Sequence, residues 1–384
     1  MRTPAGSTLP AALVGHQQSI GSDRYRAGYL PKEHDDAHVD FIMIARQVRL
    51  VAVASSTSAI CLLAAAQEPS SWDFAAWSMT CDNTNHCEAA AVRSDDDESS
   101  GPDASLRISR DAGPGAPVVG RIFVQARGSV RLRVQGKLFA ASSVDGAPEN
   151  ADIPNSVFVH LLPALIRAKT AEVVTSSGTY ELPLSGLKAT LLKMDDVQGR
   201  IGTGGALIQG GSHSERGVPS APAPSVIETV RMAAPLPSDS ELVDVLTRRL
   251  APACDADASP RELREGTVHR VSSTKVLFLF ACSEASANQS FSIWLVDDQA
   301  PYTAKLLQFF RPGDVDVNSL FNAEFDGQLL KSTVYGSTTH QCWIETSWAW
   351  TGAAFARVKE EGAACPDAAG VSFRLWTASI LPRG

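Results

Sequence analysis

Short runs in which apolar and polar residues alternate recur along most of the chain. Val130, Leu132 and Val134 are apolar, and Arg131 and Arg133 lie between them. Such alternation is typical of a strand that buries one face and exposes the other. Alternation also predicts strands over 106–109 and 291–295, and apolar-rich runs predict further strands over 276–280, 305–310, 320–325, 342–350 and 354–358.

Three segments have apolar residues at helical spacing instead. The first is 157–168, the second starts near Ser185 and ends in the run 195–200, and the third follows Ser238 and runs to Pro252. A spacing of three and four residues places apolar side chains on one face of a helix. The residues concerned are Leu161, Leu162, Leu165 and Ile166, then Leu187, Leu191, Leu192 and Met194, then Leu242, Leu246 and Leu250.

Turn residues and one polar segment divide the chain. Segment 212–225 reads SHSERGVPSAPAPS, which has the composition of a linker. We therefore predict an α+β protein that is mostly antiparallel β. A β-sandwich-like N-terminal domain with two helices occupies 67–211, and a mostly-β meander domain follows the linker at 226–384.

One aromatic stretch, Trp72 to Ala90, contains a closely spaced cysteine pair. It reads WDFAAWSMTCDNTNHCEAA, and its polar residues 82–85 predict a hairpin turn. Cys81 and Cys87 then face each other across the turn and form a disulfide. The alternative is a metal site that uses these cysteines with Asp82 and His86. Zinc sites usually combine two short ligand pairs, and the sequence offers no second pair, so we expect neither a metal nor a cofactor.

The segment 43–66 has the features of a secretory signal peptide. Arg46 and Arg49 precede an apolar stretch, and Ala64 and Ala66 satisfy the small-x-small rule for cleavage before Gln67. The stretch is too short and too polar for a membrane span, so we expect no transmembrane segment in the mature chain. Residues 1–42 are interpreted as upstream sequence or a disordered tail.

Cleavage at this point would leave six cysteines in an exported chain. An even number of cysteines in an exported protein predicts disulfides, although six cysteines allow fifteen connectivities. Proximity in the sequence favours the pairs Cys81–Cys87, Cys254–Cys282 and Cys342–Cys365. The expected location is periplasmic or secreted.

The charge distribution gives one candidate binding surface. The chain of 384 residues has a net charge of -8, which disfavours nucleic acid as a partner. Arg121, Arg127, Arg131 and Arg133 nevertheless collect on predicted strands. They are either a solvated strand face or a contact surface for an anionic envelope polymer.

The second helix ends in an unusual polar run, DDVQGR at 195–200. Carboxylates in a last helical turn oppose the helix dipole, which costs roughly 0.3–1 kcal/mol each. Either Asp196 and Arg200 pair, or Asp195, Asp196, Gln198 and Arg200 build a polar site. A hydrolase would use Asp195 and Asp196 with His160 as base. The sequence contains no G-x-S-x-G, H-E-x-x-H or phosphate-binding glycine motif.

Several runs resemble the bacterial family known as domain of unknown function 1176. They are WSMTCDNTNHCEAA, SLRISRDAGPGAP, LSGLKATLLKMDDVQGRIGT and LFNAEFDG, of which DDVQGRIGT is the most specific. The first half is more weakly similar to invasion-associated locus B proteins. The sequence departs from the family pattern at GSTTHQC, residues 336–342.

This resemblance implies an exported bacterial protein with six cysteines and no assigned activity. We expect a non-catalytic binding or structural role, with an unidentified envelope component or protein as partner. The hydrolase remains the alternative.

Overall fold

The computed structural model describes residues 68–93, 103–124, 128–144, 151–250, 266–283, 287–309, 318–336, 340, 342–363 and 371–383. The predicted signal peptide and the segment before it lie outside the described residues, as do Arg127, Cys254 and Cys365. Most strands are antiparallel, so the predicted β-rich α+β fold is confirmed.

The N-terminal lobe, residues 68–218, contains two sheets and two helices. The first sheet has the order β1-β2-β3-β4-β5-β8, and the second has the order β10-β9-β6-β7. The strands are β1 (Ser70–Phe74), β2 (Trp77–Cys81), β3 (Cys87–Ala91), β4 (Ala104–Arg110), β5 (Val118–Val124), β6 (Gly128–Val134), β7 (Lys137–Val144), β8 (Ala151–Ile153), β9 (Thr170–Val174) and β10 (Thr179–Pro183). The helices are α1 (Asn155–Arg167) and α2 (Leu187–Val197).

One apolar core joins both sheets of this lobe to both helices. Leu106 and Ile122 from the first sheet and Leu132 from the second are almost completely buried, and the alternating pattern predicts this for Leu106 and Leu132. Leu165 of α1 and Leu191 of α2 belong to the same core. α1 packs against β5 and β7, whereas α2 packs against β1, β2 and β3. The two helices therefore cover different parts of the lobe.

The predicted hairpin at Cys81 and Cys87 is confirmed. Cys81 of β2 and Cys87 of β3 lie directly opposite each other in the antiparallel pair, and their sulfurs are 2.02 Å apart. Both cysteines are buried. Because both sulfurs are used in the disulfide, neither cysteine can supply a thiolate ligand to the alternative metal site.

The C-terminal lobe, residues 225–383, also contains two sheets. One has the order β11-β21-β20-β19-β18-β17, and the other has β12-β13-β14-β15, with β16 paired to β14. β11 is parallel to β21, and the other pairings in this lobe are antiparallel. The strands are β11 (Ser225–Thr229), β12 (Gly266–Arg270), β13 (Lys275–Ser283), β14 (Ser290–Asp297), β15 (Ala304–Leu306), β16 (Leu320–Phe321), β17 (Glu324–Phe325), β18 (Leu329–Tyr335), β19 (Trp343–Trp350), β20 (Phe355–Ala363) and β21 (Ser372–Pro382).

Strand β13 buries both of its faces. Leu277 and Leu279 point to the core shared with Trp348 and Trp350 of β19. Val276, Phe278 and Phe280 alternate with them and pack under Leu242, Leu246 and Leu250 of α3 (Asp239–Leu250). A strand that is covered on both sides needs a continuous apolar run, which VLFLF supplies.

The predicted linker is partly fixed to the N-terminal lobe. Glu215–Gly217 forms one turn of 3-10 helix, and Val218 is buried. Residue 225 already begins β11. The division into two separately folded domains stays a prediction.

Candidate functional site: a buried polar clamp after α2

Helix α2 is held against strand β1 by a close backbone approach. Gly186 precedes the helix with φ +92°, and a Cβ at this position would lie 1.7 Å from the carbonyl oxygen of Phe74. Only glycine combines this backbone conformation with that approach. The contact fixes where α2 begins, and the 11-residue length of the helix then sets the position of the DDVQGR run.

The two neighbouring aspartates at the end of α2 point in different directions. Asp195 is completely buried. Asp196 is exposed, and its Oδ2 accepts a hydrogen bond from Lys193 Nζ at 2.8 Å. The structure therefore does not bring the two carboxylates together as a pair.

Asp195 anchors the glycine-rich loop that follows. Its Oδ2 accepts the backbone N–H groups of Leu207 at 2.7 Å and Ile208 at 2.9 Å. Its Oδ1 lies 4.0 Å from Arg110 Nη1 and has no hydrogen-bond partner among the described residues. Burial raises the pKa of Asp195 above its ordinary value, although the two amides and the arginine charges oppose that shift.

Gln198 links three segments of the lobe. Its Nε2 donates to the backbone oxygens of Asn85 and Arg110, each at 2.9 Å, and its Oε1 accepts from Arg200 Nε at 3.0 Å. The side chain thus connects the disulfide hairpin, the end of β4 and the loop after α2.

Arg200 is the largest charged side chain that is completely buried. It donates to the backbone oxygens of Gly113 at 2.5 Å and Asp111 at 3.2 Å, and it pairs with Glu215. Arg200 and Asp196 therefore have different partners, Glu215 and Lys193.

Arg110 and Glu215 complete the cluster, which we call the polar clamp: Arg110, Asp195, Gln198, Arg200 and Glu215. Arg110 donates to the backbone oxygens of Gly205 at 2.7 Å and Ala116 at 3.0 Å. Glu215 accepts the N–H of Gly205 at 3.1 Å. The donors of both guanidinium groups are thus directed mainly at the protein's own oxygens.

Neither Arg110 nor Glu215 was expected at this site from the sequence. Arg110 shares its strand parity with the buried Leu106 and Ile108, and this was an available signal for its inward direction. Glu215 lies in the predicted linker, where no periodic pattern marks it.

The predicted base, His160, is not one of the clamp residues. It is exposed on α1, which packs on β5 and β7 rather than on the strands that hold α2. The clamp therefore contains a buried carboxylate without the predicted base.

The predicted basic face is divided between two sheets. Arg121 lies on β5 and pairs with Asp152, with 2.5 Å between Nε and Oδ1. Arg131 and Arg133 lie on β6 in the other sheet, where Arg133 pairs with Glu172 at 2.6 Å. Arg131 is exposed. The charge of this surface is thus partly balanced by carboxylates.

Comparisons with known proteins identify the chain's relatives. Residues 72–380 match the family model described as Protein of unknown function (DUF1176). Uncharacterized protein YpfG of Escherichia coli (strain K12) is 26% identical over 317 residues, which covers 76% of this chain and 87% of the relative. No solved structure matches significantly. Among the described helices, none is long and apolar enough to cross a membrane. Because the family model covers most of the sequence, this chain belongs to the DUF1176 family.

Proposed function

We propose that the protein is exported and serves in the bacterial cell envelope as a non-catalytic binding or structural protein. The observation that supports this most is the direction of the DDVQGR side chains. Asp195, Gln198 and Arg200 are buried and bonded to the protein's own backbone. A catalytic group must reach its substrate, so this arrangement favours a structural use of the family's most specific run.

The cysteines support export to an oxidising compartment. Cys81 and Cys87 form a disulfide, and Cys282 and Cys342 are disulfide-bonded too. Structural disulfides form and persist mainly in such compartments. The pairs Cys254–Cys282 and Cys342–Cys365 remain part of the proposal, and non-reducing peptide mapping tests them. The weak similarity to invasion-associated locus B proteins also remains a proposal, and it agrees with export.

Export itself has a direct test. The full chain is expressed in a bacterial host, the periplasmic fraction is isolated, and the mature terminus is sequenced. We expect the terminus to begin at Gln67 because cleavage follows Ala66. An intact terminus at Met1 or Met43 in that fraction would refute the proposed export signal.

For the contact surface we propose the exposed face of β6 around Arg131. Attraction between this face and an anionic envelope polymer would weaken with salt. Replacing Arg131 and Arg133 by Glu should lower recovery of the protein with native envelope material at low salt, and high salt should reduce the difference. Arg216→Glu, a charge reversal at an exposed residue of another segment, is the matched control. Equal recovery of all variants at both salts would exclude this face.

The second candidate, a hydrolase that uses Asp195, Asp196 and His160, is favoured by one observation. The pKa of Asp195 is raised by burial, and shifted pKa values are common in active sites. The test is turnover of peptide, ester and glycan substrates by the purified protein. Turnover that disappears in Asp195→Asn would replace the non-catalytic proposal.

A further inference from the structure

The loop closed by the Cys81–Cys87 disulfide is a contact between the two lobes. Asn83 accepts the backbone N–H of Thr377 and donates to its carbonyl oxygen, both at 2.9 Å. Asp82 is completely buried and accepts a hydrogen bond from Arg374 Nε at 2.5 Å. Both partners belong to β21, so the loop holds the last strand of the C-terminal lobe.

His86, in the same loop, lies between two carboxylates. Its Nδ1 is 2.6 Å from Asp111 Oδ1, and its Nε2 is 3.5 Å from Glu88 Oε1. The other oxygen of Glu88 accepts the backbone N–H of Arg374 at 2.7 Å. Glu88 therefore connects the imidazole directly to the backbone of β21.

The charges around His86 balance only when its imidazole is protonated. The facing groups come from the hairpin, from β3 and β4, from the turn after β4, and from β21. Arg107 lies 3.6 Å from Glu88 Oε1 and donates to the carbonyl oxygen of Ser372 at 3.0 Å. The cluster contains three carboxylates and two guanidinium groups: Asp82, Glu88 and Asp111, with Arg107 and Arg374. Imidazolium supplies the third positive charge.

We propose that His86 is a pH-dependent latch, which holds β21 against the N-terminal lobe when protonated and loosens it when neutral. A neutral imidazole carries one N–H, so it can donate to only one of its two carboxylate neighbours. The other carboxylate then faces a nitrogen lone pair. Displacement of Glu88 weakens the hydrogen bond that Glu88 accepts from Arg374. This inference does not depend on the proposed envelope role.

The electrostatics of the site agree with this direction. Burial and the positive charge of Arg374 lower the pKa of His86, but its contacts with Glu88 and Asp111 outweigh both and raise that pKa above the ordinary value. Burial likewise raises the pKa of Glu88, but His86 and Arg107 lower it by more. Protonated His86 therefore stabilises the folded protein fully at pH values below the pKa that His86 has in the unfolded chain. This contribution is lost as the pH rises through the higher pKa that His86 has in the folded protein. The contribution of the Glu88 carboxylate to the stability of the fold is lost as the pH falls through the pKa that Glu88 has in the folded protein.

The experiment measures amide hydrogen exchange in the full chain between pH 6 and pH 9, with rates corrected for the intrinsic effect of pH. The latch predicts that protection of the Arg374 and Thr377 amides falls about tenfold as His86 loses its proton, the effect of one hydrogen bond to a charged group. Amides of β13 serve as the internal reference. His86→Gln should remove the pH dependence, whereas His160→Gln, an exposed histidine on α1, should keep it.

A second variant separates the latch from a folding defect. Glu88→Gln removes one carboxylate beside His86, so NMR titration should show the imidazole losing its proton at lower pH than in the unmodified chain. Constant protection of β21 from pH 6 to pH 9 would overturn the proposal. An unchanged pH dependence in His86→Gln would also overturn it, as would a His86 pKa that does not exceed the ordinary value.

Discussion

At the scale of single residues, the burial of Asp195 could be predicted from the sequence, but its partners could not. Asp195 follows Leu187 and Leu191 at intervals of four, which places it on the buried face of α2, while Asp196 is rotated toward solvent. Spacing could therefore have predicted that Asp195 is buried. Its partners could not be predicted in this way, because Arg110 is 85 residues earlier in the chain and Glu215 is 20 residues later.

Removing the Asp195 carboxylate should destabilise the protein more than changing its charge. Asp195→Ala leaves the N–H groups of Leu207 and Ile208 without their acceptor, at a cost of about 1–3 kcal/mol each. Asp195→Asn keeps an acceptor oxygen and should cost less. Urea unfolding measures both, with Asp196→Ala at the exposed neighbour as control. Equal losses for Asp195→Ala and Asp196→Ala would contradict this role.

The buried ion pair of Arg270 and Asp239 should make the stability of the C-terminal lobe decrease at acidic pH. Arg270 Nε donates to both oxygens of Asp239, at 3.2 and 3.1 Å, and its hydrogen bonds lower the pKa of that carboxyl. A lowered folded pKa contributes stability above the unfolded value, which is lost as the pH falls through the folded value. Below about pH 4 the free energy of unfolding should fall less steeply for Asp239→Asn than for the unmodified chain. Identical acid profiles would exclude this pair as a source of acid sensitivity.

At the scale of elements, local sequence patterns predicted strands well and said little about their partners. The strands that contain Leu132, Leu277 and Trp348 were all expected from local pattern. The parallel pairing of β11 with β21 was not, since the paired residues Ser225 and Ala378 are 153 positions apart. Helix α1 also continues through Pro163, because its buried leucines pack against the sheet despite the missing N–H.

The junction between α2 and β1 can be tested with two glycines. In Gly186→Ala the new methyl group would meet the Phe74 carbonyl, and the left-handed backbone would add strain, so we expect a loss of more than about 2 kcal/mol. Gly115 also has a positive φ, but nothing lies within 4 Å of a Cβ there. Gly115→Ala should therefore cost only about 1 kcal/mol for the backbone. Similar losses in the free energy of unfolding for Gly186→Ala and Gly115→Ala, measured with denaturant, would show that the close approach to Phe74 does not matter.

At the scale of the whole molecule, the contacts between the lobes were beyond sequence reasoning. Asn83 and Thr377 are 294 residues apart, and no local pattern relates them. The predicted linker also contains a residue that the clamp uses, since Glu215 pairs with Arg200. Composition identified the segment as irregular, but it could not show that its first part is fixed to the N-terminal lobe.

We infer that the DDVQGR run stabilises the fold from inside, and the free energy of unfolding of Arg200→Met tests this inference. Arg200→Met removes the nearer of the two buried arginines that pair with Glu215 and leaves two backbone oxygens without a donor. We predict a loss of about 3 kcal/mol or more in urea unfolding. Arg216→Met, an exposed arginine in the adjacent segment, should change stability by less than about 0.5 kcal/mol. Arg200→Met with the stability of the unmodified chain would contradict the claim.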